Sequence, residues 1–501
     1  ALVVHKQWLY HEHLPYPIAG FTKSLFPPQQ GGRSSLFESY PFWIGLSLVF
    51  LVNLNNYLCQ WFPNQLIPFR LQFDLGSLTQ LFPTFQRGGG LDLMAGCCRF
   101  YFTVVGMAYF LAADVSFSLG ISPFVYCVVA GFFAGYGIPL VAGAFLHPMP
   151  IRFICFGSYL GVFLTVLYTG RHYYAHVFRE ALKFHPVESD SAVAIWGLRI
   201  LVVSLVAFAL QLVFVGLDWP LAILYTLATA IFFFIMGRVI AETGLFFFQP
   251  FWCPSVIILG VFGAKALGPQ SVLIMSLLCT IFMIDPREVL IPYVVNSFGL
   301  VDQLKMKISK VAQWSVVSLL VGLTVAVPVM LYFQYDRGVN SKDQWAVAWV
   351  PRFAFDEAVW VKQRLIAQDS LQTTNSLGGL SRLVEIAPDR GMVLWGLAGL
   401  TAVLLLSACR LRFPRWPIHP ILFLVWYSYA GKMFAWSFLL GWALKVMATK
   451  YGGAAGYQKI KPFMIGIIAG DMLGAFVPFL YGLIHYFVTG DIPPAFAILP
   501  A

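Results

Sequence analysis

A chain of 501 residues that is 59% hydrophobic and only 11% charged, against roughly 25% charged in ordinary soluble domains, belongs in a lipid bilayer. Its apolar runs approach or exceed the ~20 residues of a spanning helix and are too continuous for an outer-membrane barrel, so the predicted fold is an all-α polytopic transmembrane bundle. The net charge of +10 comes from Lys and Arg gathered in short loops, where the positive-inside bias explains them, and nucleic acid is excluded as a partner.

Residues 1–40 carry Lys6, Lys23, Arg33 and several prolines and read as a cytoplasmic leading segment. Pro41 to Gln60 supplies the first span. Trp61 to Met94, with Pro63, Pro68, Pro83 and Gly88-Gly89-Gly90, reads as an irregular outer loop. Spans are predicted at about 98–119, 121–146 and 151–169, followed by an interfacial helix on the inner side over Arg171 to Asp190, which holds His172, His176 and His185. Two more spans, about 191–217 and 219–245, form a hairpin around Asp218-Trp219-Pro220. Residues 250–285 then read as broken: the apolar pieces Pro254 to Ala266 and Gln270 to Ile284 are separated by Gly268-Pro269. Each reaches only about 20 Å at the helical rise, against a hydrocarbon core of about 30 Å.

Lys305, Lys307 and Lys310 mark a basic loop before the span from Val311 to Phe333. The segment 334–390, whose seven basic and seven acidic residues cancel, is read as an extracytoplasmic polar cap. Gly391 to Ser407 crosses back to Arg410, Arg412 and Arg415. A second interrupted element runs from Trp416 to Met447 with Gly431-Lys432 near its centre, and Phe463 to Val488 is the last span. The count is about nine crossings plus two re-entrant or broken hairpins, with the short basic loops all on the inside. The linear division is 1–40, a first bundle over 41–333, the cap over 334–390 and a second bundle over 391–501.

Charge inside these spans marks the candidate sites, since it is costly in lipid and must face protein, water or ligand. Arg238 and Glu242, four residues apart, project from one helix face; a helix end with a snorkelling arginine competes with a proton- or cation-binding pair. Asp471 lies several residues inside the last span, and a short aspartate cannot snorkel. Around it Gly466, Gly470 and Gly474 recur every fourth residue and line one face for close helix packing. Asp471 is therefore read either as a hydrogen-bonded structural residue in that seam or as lining a cavity. Lys432 and Lys265 read as hairpin tips, Asp114 as interfacial, Arg199 as snorkelling and His419 as a cap. The eight cysteines show no metal-ligand spacing and no disulfide framework. No phosphate loop, zinc motif or nucleophile elbow is present, so no cofactor, metal site or enzymatic role is assigned.

His5-Lys6-Gln7-Trp8 followed by Tyr16-Pro17-Ile18-Ala19, Tyr109-Phe110-Leu111 with Val115-Ser116-Phe117-Ser118, Trp416-Pro417-Ile418-His419-Pro420, and Lys461-Pro462-Phe463 with Gly466, Gly470 and Asp471 together resemble a large bacterial membrane family of unassigned function. That family is similar, more distantly, to oligopeptide transporters. The resemblance runs along nearly the whole chain and implies a multi-pass protein of a bacterial inner membrane. It also implies several helices before Ala1, and a glutamate where Asp471 stands. The leading expectation is a transporter-like protein carrying a peptide or other small organic solute, with proton coupling through Glu242 and Asp471. Arg238 would anchor a substrate carboxylate, and the solute would sit between residues 250–285 and the last span. The alternative is a non-transporting structural subunit of a large membrane assembly. The expected partners are the lipid bilayer, a small-molecule substrate, and either further copies of the chain or a larger complex.

Overall fold

The computed structural model describes residues 1–26, 36–183, 192–245, 247–284, 289–304, 306–339, 344–413, 415–491 and 493–500. Arg33, His185, Asp190 and Lys305, named above, lie outside them. Among the described residues the regular elements are helical, with one isolated bridge between Gln72 and Arg99. In chain order the longer helices are α1 (Tyr40–Trp61), the short α2 (Phe102–Phe110), α3 (Ala113–Gly135), α4 (Pro150–Thr169) and α5 (Arg171–Leu182). There follow α6 (Ala192–Val215), α7 (Trp219–Thr243), α8 (Pro254–Phe262), α9 (Ala264–Phe282) and α10 (Leu290–Gln303). The last are α11 (Ile308–Arg337), α12 (Val350–Ala367), α13 (Arg390–Arg412) and α14 (Tyr429–Thr489). Among the described residues nine of these are long and apolar enough to cross a membrane. The protein is a multi-pass α-helical bundle.

Contacts group the chain into two compact units, Ala1–Ala19 with Pro139–Cys409 and Gly20–Ile138 with Arg410–Ala501. This grouping cuts across the linear division, and the whole of 334–390 joins the first unit.

In the first unit α4 and α13 cross at glycines. A methyl on Gly157 would meet the carbonyl of Gly396, one on Gly399 would meet the Ile154 backbone, and one on Gly161 would lie 3.3 Å from Val403. Small residues at such a crossing let two backbones approach, which is the main source of helix attraction where lipid removes the hydrophobic drive. The expected break lies between α8 and α9 and is double: Gly263 (φ +84°) ends α8, and Gly268 (φ +74°) interrupts α9 just before Pro269. Both angles favour glycine. The polar segment is more than a cap. Its helix α12 buries Ala354, Glu357, Ala358, Val361 and Leu365 along one stripe and packs on α9.

In the second unit two expected spans are corrected. Residues 98–119 do not form one helix: α2 has nine residues, reaches only about 14 Å, and gives way to extended backbone at Leu111 before α3 begins. The freed carbonyls have partners. Ser116 Oγ donates to Ala108 O at 2.9 Å, and Lys445 Nζ donates to Leu111 O. Lipid would leave such groups bare, so the break is stable only because protein fills it. The span expected at 121–146 ends at Gly135 instead, where Gly137 (φ +78°) and Pro139 turn the chain out of the helix. The interruption expected at Gly431-Lys432 falls earlier, at Tyr427 (φ +55°), and α14 starts at Tyr429 with the Ser428 hydroxyl accepting from Gly431 N. The 61 residues of α14 are two limbs, since a straight helix of that length would be about 90 Å, three times the hydrocarbon core. The break is Gly453, at φ +58° and ψ −156°.

The second limb of α14 lies against α1 along the glycine seam. A methyl on Gly466 would meet Phe42 O and come within 3.0 Å of Leu46 N, one on Gly470 would meet Leu46 O, and one on Gly474 would lie 2.6 Å from Asn53 Cβ. These neighbours are mostly backbone and cannot rotate away. Gly466→Ala is expected to lower thermal stability by about 1–3 kcal/mol, whereas Gly452→Ala, with nothing within 4 Å, is expected to be neutral or slightly stabilising. Parallel melts of the two variants in detergent check this; equal melting would remove the seam from the argument.

Candidate functional site

Asp471 is 2% exposed and its carboxylate is occupied by protein donors. Oδ1 accepts from Asn53 Nδ2 of α1 at 2.7 Å, and Oδ2 accepts from both Thr103 N at 2.9 Å and Thr103 Oγ1 at 2.7 Å. Thr103 is the second residue of α2, so Asp471 caps that helix from outside and places negative charge at the positive end of its dipole. The neighbouring amide of Tyr101 donates to Ser437 Oγ at 2.9 Å. The two limbs of α14 thus each supply one cap to the short buried helix.

Lys432 is not a hairpin tip. It stands in the first turn of α14, pairs with Asp92 Oδ2 at 3.0 Å and lies 4.9 Å from the Tyr427 ring centre. Asp114, in the first turn of α3, pairs with Arg410 at 2.8 Å. His419 Nδ1 accepts from Ile421 N at 3.1 Å and so caps a short turn. Burial pushes the Cys97 thiol up to about 11.

In the first unit Arg238 and Glu242 meet as the spacing requires, with Nε 3.2 Å from Glu242 Oε2. A second acid unseen in the sequence joins them: Glu12 pairs with Arg238 Nη1 and also accepts from Gln7 Nε2 at 3.0 Å. The leading segment reaches α7 through Tyr16 N, which donates to Ala241 O at 3.1 Å. The Arg238 side chain is 11% exposed and carries two carboxylates, whereas that of Glu242 is 26% exposed. Arg199 donates to the carbonyls of Ala181 and Lys183 at 3.0 and 2.6 Å and closes the C-terminal end of α5.

The broken helix is the most elaborated feature of this unit. Arg382, from the polar segment, donates through Nη1 to Ala266 O at 2.9 Å and Leu267 O at 2.6 Å, the carbonyls released beside Gly268. It also pairs with Asp218 at the start of α7. Ala387 N donates to Phe262 O at 3.1 Å and Asp389 N to Gly260 O at 3.0 Å, which closes the end of α8. Lys265 pairs with Glu385 at 2.8 Å. A segment of polar chain is therefore bonded into the break. Its sequence, SRLVEIAPD, gave no hint beyond its lone Arg382.

Two further buried charges were also missed. Arg152, 1% exposed, is the third residue of α4, and its guanidinium lies 5.0 Å from the Phe145 ring centre and 4.4 Å from that of Phe251. Glu357, 0% exposed, meets His147 Nδ1 at 3.2 Å. The available signal was a single arginine two residues after Pro150 at the head of an apolar run. Among the described residues no cluster of His, Cys, Asp and Glu is arranged to hold a metal ion.

These features define a polytopic helical membrane protein with two buried, internally capped helix breaks. Its sequence matches the Family of unknown function (DUF6785) over residues 1–492, and the chain belongs to that family. No curated protein matches it.

Proposed function

We propose that the protein is a transporter-like carrier of a small organic solute, a peptide among the candidates, with proton coupling. The observation that supports this reading is the broken pair α8 and α9, whose carbonyls at the break are met by side-chain and backbone donors from a separate polar segment. Irregular backbone at membrane depth persists where protein or a water-filled cavity lines it, and carriers use such breaks to hold and release solutes. The coupling role falls on Glu242 rather than Asp471. Glu242 is partly open to water, while Asp471 is sealed and its lone pairs are engaged by α1 and α2. The finer expectations, a bacterial inner membrane and a likeness to oligopeptide transporters, rest on the sequence resemblance and go with this reading.

The test is uptake of labelled peptides and organic acids into sealed vesicles under an imposed proton gradient. Gradient-driven accumulation is expected, with Glu242→Gln losing its pH dependence and Asp471→Asn losing folded yield instead. Full pH-dependent uptake by Glu242→Gln would sink the coupling scheme. The second reading, a structural subunit, is favoured by α11, of whose spanning window 0% is buried within the chain. Mass measurement of the intact particle from native membrane separates the two: a stoichiometric hetero-complex supports the subunit, and a monomer or homo-oligomer supports the carrier.

A further inference from the structure

Arg152 has an unsatisfied electrostatic position. Its guanidinium is buried, its Nε has no hydrogen-bond partner, and no carboxylate pairs with it among the described residues. Its bonds are one to Phe145 O and one, at 3.8 Å, from Nη1 to Cys253 Sγ. Both neighbouring helices worsen the position of a cation. Arg152 is in the first turn of α4, and Cys253 is the N-cap of the nine-residue α8, so two helix N-termini with no side-chain cap point their positive ends toward one buried positive charge. Removing a charge from water is costly unless it is paired. Two helix starts and an unpaired guanidinium are also what an anion site is made of.

We propose that Arg152 and the N-termini of α4 and α8 form a binding site for the carboxylate of a small organic solute. One charge is available, which suits a monocarboxylate and leaves a phosphate dianion under-neutralised. The walls are aromatic: Phe145 stacks on Phe353 at 4.4 Å, Trp345 packs on both, and Phe251 meets Phe145 edge-on while lying 4.4 Å from the guanidinium. An apolar body attached to the carboxylate therefore finds matching surface. Gln344, Ala348 and Trp349, on or beside the turn that carries Trp345, and Arg352 of α12 line a cavity of about 400 Å³. This inference rests on the carrier reading for its biological sense, though the site itself does not require transport.

The experiment uses the full chain purified in detergent, with thermal unfolding followed by tryptophan fluorescence. Benzoate and hexanoate are compared at equal ionic strength with their primary amides, hexylamine, chloride and inorganic phosphate. The carboxylates are expected to raise the midpoint and the other probes to leave it unchanged, since only a ligand that binds the folded state stabilises it. Arg152→Gln abolishes the response, and Arg152→Lys, which keeps the charge but loses the fork, weakens affinity about tenfold. Should Arg152→Gln fail to fold, the contrast between acid and amide on the wild-type chain still decides. An amide or phosphate shift equal to the carboxylate's, a shift by chloride alone, no shift by any carboxylate, or a full response in Arg152→Gln overturns the site. A carboxylate that stabilises the protein yet never crosses sealed vesicles overturns transport and leaves the site standing. Uptake of a solute with no carboxylate shift and no effect of Arg152→Gln does the reverse.

Discussion

Replacing Asp471 with alanine is expected to destabilise the second unit by about 2–4 kcal/mol, among the largest effects available in this chain. The substitution deletes one acceptor group and strands three donors, Asn53 Nδ2, Thr103 N and Thr103 Oγ1, where water does not reach. Hydrogen bonds between membrane helices average well under 1 kcal/mol each, so the sum comes mainly from the stranded donors and the lost cap on α2. Asp471→Asn keeps one acceptor but turns an amide toward a donor, and is expected to fall between wild type and alanine. Asp471→Glu adds a methylene to the glycine seam and is expected to be no better. Melting in detergent ranks the series, and a cycle with Asn53→Ala should return a coupling of about 1 kcal/mol. An alanine variant that melts with wild type would mean that the carboxylate does not hold these helices.

The same contacts show why the seam was legible in the sequence and its function was not. Gly466, Gly470 and Gly474 repeat at the helical period, so their shared face follows from geometry alone. The donors to Asp471 lie hundreds of residues away in Asn53 and Thr103, and one is a backbone amide that exists as a donor only because α2 starts at Phe102. No periodicity encodes that. Both ends of α2 were hidden because hydrophobicity is continuous from Phe100 through Leu111; the break at its C-terminal end is held by bonds from Ser116 and Lys445, both of which look unremarkable in the chain.

The first unit repeats the lesson with opposite sign. The break at Gly268-Pro269 was readable because both residues are backbone instructions. The partners that make it tolerable, Arg382, Ala387 and Asp389, come from a segment whose balanced charge read as a solvated cap. Charge neutrality describes composition and says nothing about which face of α12 is apolar. Arg238 and Glu242 were found because they are local in sequence, and Glu12 was missed because the contact closes across most of the unit.

Arg382→Ala is the second substitution with a large expected effect, about 3 kcal/mol, because one side chain serves three acceptors. Its loss leaves Asp218 without this partner at the start of α7 and removes the guanidinium donor from Ala266 O and Leu267 O beside the non-helical Gly268. Arg382→Lys retains a charge for Asp218, but a single ammonium cannot span the carboxylate and both carbonyls as the fork does, so about half the loss is expected. Asp218→Ala alone removes the counter-charge while the carbonyl bonds remain, and with Arg382→Ala it closes a double-mutant cycle whose coupling measures the ion pair by itself. Amide exchange across α8 and α9 supplies a local readout: protection there should fall in Arg382→Ala before it falls in α6, which among the described residues shares no bond with the segment over 382–389. Unchanged protection in α8 and α9 would show that the segment over 382–389 rests on the break without closing it.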